Sequence, residues 1–240
     1  MAGSLSTEEP LSLLGITIRR SITVGRASLI YGTAVSLFLI FALSFSSTSG
    51  FSAGIPIFLP IFAIVGSMGG LTVFSADRQK GVLEYLMGYG ISPRRLFVNI
   101  LIASLVLVTI VLAIAIGATL TIALVNGLDS NVLFQLLVFY TLPMSYASTA
   151  FLATIGMYWT ALSSPRQGLN SPIGVAPFIG VLPPIATLGV VVALGALGSV
   201  TASSFIVVTS ITVTLVAAVA FVLLARIGRF LRRERLLSPA

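Results

Sequence analysis

The segment 96-LFVNILIASLVLVTIVLAIAIGATLTIALV-125 contains no charged side chain, and none occurs between Arg95 and Asp129. A helix rises about 1.5 Å per residue, so roughly 20 apolar residues cross a hydrocarbon core of roughly 30 Å. This run therefore predicts a membrane span, and five other runs qualify: about 27–47, 54–76, 131–162, 172–195 and 203–225. The expected fold is an all-α integral membrane protein with six transmembrane helices in one domain over 1–240.

Composition agrees with that reading. The chain is 57% hydrophobic and 8% charged, with a mean hydropathy of +1.13, whereas a soluble domain carries roughly a quarter charged residues. Thirteen basic and six acidic residues leave a net charge of +7. In a soluble protein that excess suggests nucleic-acid binding; here the position of the charges argues for none. The connectors 46–53, 126–131 and 195–203 hold no Lys or Arg. The N-terminal segment, 77–95, 163–168 and the tail from Arg226 hold all of them. By the positive-inside rule, both termini and the 77–95 loop are expected in the cytoplasm. The localisation implied is the plasma membrane of a prokaryote, crossed many times.

Much chemistry is excluded by what the chain lacks. With no Cys and no His, disulfides, thiolate chemistry, His-ligated metals and Ser–His–Asp catalysis are impossible. None of the six acidic residues lies clearly within a span, which argues against an aspartyl protease and against a proton-coupled carrier. No phosphate-binding GxxxxGK[ST] loop occurs. No catalytic residue, metal site or bound cofactor is expected.

Residues 1–26 begin with MAGSLSTEEP, which lacks the apolar core of a signal peptide; the first span is expected to direct insertion. Within 10–26, Leu11, Leu14, Ile18 and Ile22 share an arc of roughly 80° on a helical wheel, with Arg20 opposite. That pattern predicts an amphipathic helix lying in the cytoplasmic interface among anionic lipid headgroups; the plainer alternative is a lead-in to the first span. The 172–195 run carries Pro172, Pro177, Pro183 and Pro184. It reads either as a kinked helix or as two pieces that re-enter the membrane, shielded by protein in both cases. Gly66 and Gly70 form a GxxxG pair, suited to a dimer interface or to packing inside one subunit. Thr141, Ser145, Ser148 and Thr149 lie near one face of the fourth span. They line a substrate path, or they bond back to their own helix.

Charge is concentrated in 77-DRQKGVLEYLMGYGISPRR-95. The stretch reads as a short helix, a glycine break at Gly88 and Gly90, and a new helix start at Ser92-Pro93. On one helical wheel Val82, Tyr85, Leu86 and Tyr89 share an arc, and Asp77, Lys80 and Glu84 occupy the opposite one. A short amphipathic helix of this kind is suited to a groove on a partner.

The stretch also resembles the loop between the second and third spans of membrane permeases in type-2 ATP-binding-cassette (ABC) exporters. The match runs through Asp77, Arg78 and Lys80, then Gly81-Val82-Leu83-Glu84, Leu86, and Ser92-Pro93-Arg94-Arg95. The N-terminal interfacial helix, six spans and the basic tail over 226–240 are similar as well. Two departures stand out: Met87-Gly88-Tyr89-Gly90 replaces a frequent proline after the leucines, and the hairpin between the last two spans is short. The resemblance implies a permease subunit, not itself an enzyme, that acts as a homodimer or heterodimer and forms the substrate path between the two copies. Separate ABC ATPase subunits would bind ATP and Mg. The 77–90 segment would be the coupling helix, with Asp77, Arg78, Lys80, Gly81, Glu84, Tyr85, Leu86 and Tyr89 forming the dock. The alternative is a stand-alone secondary transporter or a membrane scaffold without an ATPase.

Overall fold

The computed structural model describes residues 9–45, 48–127, 130–162, 172–196 and 202–230; its described residues are helical, with turns between, and form no strand. Among the described residues, five helical stretches are long and apolar enough to cross a membrane: Arg26–Ser44, Gly54–Gln79, Pro93–Val125, Leu133–Ala161 and Ser204–Arg226. The chain thus has the character of an all-α, multi-pass membrane protein. The connector 163–168, the tail beyond 230, and residues 1–8 lie outside the described residues.

The first helix, α1 (Glu9–Val24), passes through a single turn residue, Gly25, into α2 (Arg26–Ser44). The second apolar run is interrupted. It folds as α3 (Thr48–Gly66) and α4 (Gly69–Gln79), separated by a turn at Ser67 and Met68. At the break the Met68 amide bonds to the Val65 carbonyl at 3.3 Å, and no side chain caps the start of α4. Next come the short α5 (Val82–Gly88) and α6 (Pro93–Val125). At 33 residues, α6 measures roughly 50 Å and outruns the hydrocarbon core.

The fourth run begins as α7 (Ser130–Leu136), widens into a π-helical turn over Leu137–Thr141, and continues as α8 (Leu142–Leu162). The last helices are α9 (Pro172–Ala196) and α10 (Ala202–Phe230). Despite its four prolines, α9 is one continuous helix, so a two-piece segment is not what forms. Its Gly180 explains the close seating: a Cβ there would lie 2.9 Å from Ile64 and 3.1 Å from Leu152. The faces of α2 and α10 are mostly turned outward, with Phe38, Phe41, Leu215 and Phe221 exposed.

The interior holds two apolar clusters stacked along the bundle. One joins Met68, Leu71, Phe74, Leu83, Met87, Phe97, Leu152 and Met157, with Leu224 packed against it. It lies at the end that carries Asp77, Lys80, Arg94 and Arg95. The other joins Ile40, Ile55, Leu59, Val108, Val111, Leu133 and Leu137 at the opposite end.

Small residues let the helices approach. A Cβ on Gly32 of α2 would sit 2.6 Å from the Gly66 Cα. One on Gly69 would sit 2.6 Å from the Ser21 carbonyl and 2.7 Å from Leu107. Gly66 also faces Val111, and Gly70 abuts the Ser104 hydroxyl and the Ile100 carbonyl. The contacts of the GxxxG pair in this structure are made inside the chain.

Candidate functional site

The charged loop is built from its hinge residues upward. Gly81 has φ of 69°, a left-handed conformation that only glycine adopts without steric cost. This joint ends α4 after Gln79 and turns the backbone into α5. The single helical wheel over 77–89 therefore does not hold: Asp77 belongs to α4, and the α5 residues start a new register after Gly81. At the far end of α5, Gly90 has φ of 85°. There the Ile91 amide reaches back to the Leu86 carbonyl at 3.2 Å, a Schellman closure. The Ser92 hydroxyl then accepts from the Arg95 amide at 3.3 Å, with Pro93 at the first helical position. This is the start that the Ser-Pro pair predicts.

Within α5 the buried stripe is Leu83 and Met87, one turn apart and nearly inaccessible. Leu86 and Ile91 pack against the same cluster. The tyrosines face the other way. Tyr85 is 63% and Tyr89 72% exposed; their rings lie 4.6 Å apart between centroids, and the Tyr85 hydroxyl donates to Tyr89 at 3.1 Å. That bond holds the neutral phenol and raises the Tyr85 pKa above its ordinary value. Two mutually bonded aromatic rings, tilted by 55° on an exposed surface, form a preorganised contact patch. Lys80, at the end of α4, is exposed, and Arg78 is half-buried. The side chain of Glu84 lies outside the described residues.

Asp77 has a different environment. Its carboxylate is buried, and Arg20 of α1 grips it with Nη1 to Oδ2 at 3.0 Å and Nη2 to Oδ1. Through that pair, and through Gly25 against Gly69, α1 packs on α4 and α6. Among the described side chains of α1 the most buried is Ser21, at 0% exposure, whereas Ile22 is exposed. The protein-facing side is thus rotated from the arc that the apolar residues alone define, because the close Gly25–Gly69 approach and the ion pair set it. Arg20 was absent from the sequence-derived site, although it is the basic residue opposite the apolar arc.

The hydroxyl residues of the fourth span all point inward. Thr141, Ser145, Ser148 and Thr149 are each at 0% exposure. Thr141 donates to the Pro56 carbonyl at 2.8 Å. Helix geometry explains the bond: residue 60 would normally supply the amide for that carbonyl, and Pro60 has none. Ser145 donates to the Thr141 carbonyl at 2.6 Å. Thr149 approaches the Ser67 hydroxyl at 3.4 Å. Ser67 and Ser104, missed in the sequence, complete this polar group. Ser104 and Ser148 find no hydrogen-bond partner among the described residues.

Among the described residues no group of His, Cys, Asp or Glu could hold a metal. No family model matches the chain, and no curated protein or solved structure is detectably similar to it.

Proposed function

We propose that the chain is the membrane subunit of an ATP-driven exporter of the ABC type. It would have six spans, both termini in the cytoplasm, and a site in a prokaryotic plasma membrane. The observation that carries this reading is α5. It is a short helix anchored by Leu83 and Met87, and it turns Tyr85, with Tyr89 at its C-terminal cap, outward at the basic end of the bundle. Exposed tyrosines are among the residues enriched at the centre of protein interfaces.

The distribution of basic residues supports the six-span topology. The sixth span would be α9, whose 25 residues measure roughly 37 Å. The chain lacks a phosphate-binding loop, so the energy source would be a separate ATPase carrying ATP and Mg. Force would pass from that partner to α5, through the Gly81 joint into α4, and through Asp77 and Arg20 into α1. The outward faces of α2 and α10 would meet lipid and a second permease, and the basic residues would meet anionic headgroups.

Purification of the chain from its own membrane in mild detergent tests the reading. An ATPase with a phosphate-binding loop is expected to be retained, and Tyr85→Ala with Tyr89→Ala is expected to release it. A chain that transports in sealed vesicles without ATP or any ATPase would instead favour the stand-alone carrier.

A further inference from the structure

The two apolar clusters adjoin on α3, where Ala63 belongs to one and Ile64 to the other. Between them, three helices contribute a hydroxyl at one level: Ser67 at the α3–α4 break, Ser104 of α6, and Thr149 of α8. On α6 the residues flanking Ser104 belong to different clusters, Ile100 to one and Val108 to the other. On α8 the same holds for Leu152 and Tyr146. With Met68, Leu71, Leu152 and Ala153 these hydroxyls line one narrow seam inside the subunit, into which no water-sized molecule fits. Along α6, Ser104 lies roughly 14 Å from Arg95, well within the hydrocarbon depth.

Such a seam is costly in the closed form. Ser104 is 2% exposed, and its hydroxyl has no partner among the described residues. Among the described residues, the hydroxyl–hydroxyl contact across the seam is the long one between Thr149 and Ser67. Bilayer interiors offer no water to compensate a free donor. The seam also adjoins an interrupted helix with an uncapped N-terminus at α4, and broken helices in spans are tolerated where they line a cavity or are buried in protein. No charged side chain lines it, so a charged ligand would gain nothing to offset its desolvation.

We propose that this seam is the closed form of a binding and passage site for a small, uncharged, hydrogen-bonding solute. The site lies within one subunit, and water enters it when it opens. Ser104 and Thr149 supply donors from α6 and α8, and Ser67, whose hydrogen goes to the Ile64 carbonyl at 2.7 Å, supplies an acceptor from the break. The proposal rests on the transport reading above and places a polar route inside each subunit, where the resemblance implies a path between two.

The protein provides its own reporter, because Met68 lines the seam and methionine sulfur oxidises readily. Radiolytic hydroxyl-radical labelling of the full complex in lipid nanodiscs, with water as the probe, is read at Met68, Met144 and Met157. All three are buried, the last two at 0% exposure. Labelling is done without nucleotide, with ATP, and with the ATPase trapped by vanadate. In at least one state, Met68 oxidation is expected to exceed that of Met144 and Met157 at least fivefold. Ser104→Ala with Thr149→Val should reduce that excess to less than twofold while the fold is retained. Met68 oxidation equal to the two controls in every state overturns the proposal, as does an excess that survives the double substitution. If no ATPase is retained, the same labelling on the lone chain in nanodiscs is read by the same thresholds. The seam is then judged separately from the ATPase reading.

Discussion

Arg20 and Asp77, 57 positions apart in sequence, form a two-pronged ion pair that fastens α1 to the end of α4. The carboxylate side chain is 7% exposed and the guanidinium side chain 40%. The acid thus depends on this base far more than the base depends on the acid. Removing one partner of a fully buried pair costs about 3–5 kcal/mol. With Arg20 partly solvated, Arg20→Ala should cost less, about 2 kcal/mol, read as a lower Tm in detergent. Asp77→Asn should cost less than Arg20→Ala, since it leaves no unpaired charge inside. Equal Tm values for all three proteins would show that the pair contributes nothing.

Close backbone packing predicts a contrast among glycines. Gly32→Ala would place a methyl 2.6 Å from the Gly66 Cα and 2.7 Å from its nitrogen, so backbone has to move. Overpacking of this kind costs about 1–3 kcal/mol. Gly117 and Gly189 meet nothing within 4 Å, and alanine at either should leave the Tm within about a degree. Unfolding in detergent followed by circular dichroism separates the two classes.

Thr141 and Pro60 should behave as a coupled pair. Thr141→Val strips the Pro56 carbonyl of its donor, at an expected cost of about 0.5–1.5 kcal/mol. Pro60→Ala restores an amide to the same carbonyl. In the Pro60→Ala background, Thr141→Val should therefore cost clearly less than in the parent. A double-mutant cycle with zero coupling would contradict the assignment.

The tyrosine patch makes the opposite prediction for stability. Tyr85 and Tyr89 are exposed and touch each other rather than the core. Replacing both by Ala should leave the Tm nearly unchanged and remove retention of the ATPase. Leu83→Ala, by contrast, should lower the Tm by several degrees, because it empties a packed position at 4% exposure.

Helices were legible in this chain wherever composition alone decides them. Charge-free runs mark the spans, and Ser92-Pro93 marks the start of α6. What remained hidden depends on contacts between distant segments. Asp77 reads as one of a solvated row until Arg20 covers it. The wheel over 77–89 fails because Gly81 takes a left-handed conformation, which sets Leu83 and Met87 inward. The α9 prolines suggest a broken segment, yet their effect is absorbed within one helix packed on α3 and α8. For Pro60 a signal was present: a proline four residues after Pro56 leaves a carbonyl in need of a donor, and Thr141 supplies it.

The central claim is that α5 docks on an ATPase, and site-specific photocrosslinking tests it most directly. A benzophenone amino acid replaces Tyr85, and separately Phe221 on the outward face of α10, in cells that make the chain natively. After irradiation, adducts are identified by mass spectrometry. The account predicts a protein adduct at position 85 whose partner carries a phosphate-binding loop, and no such adduct at position 221. Adducts at position 85 with lipid alone, or with proteins lacking that loop, would contradict it.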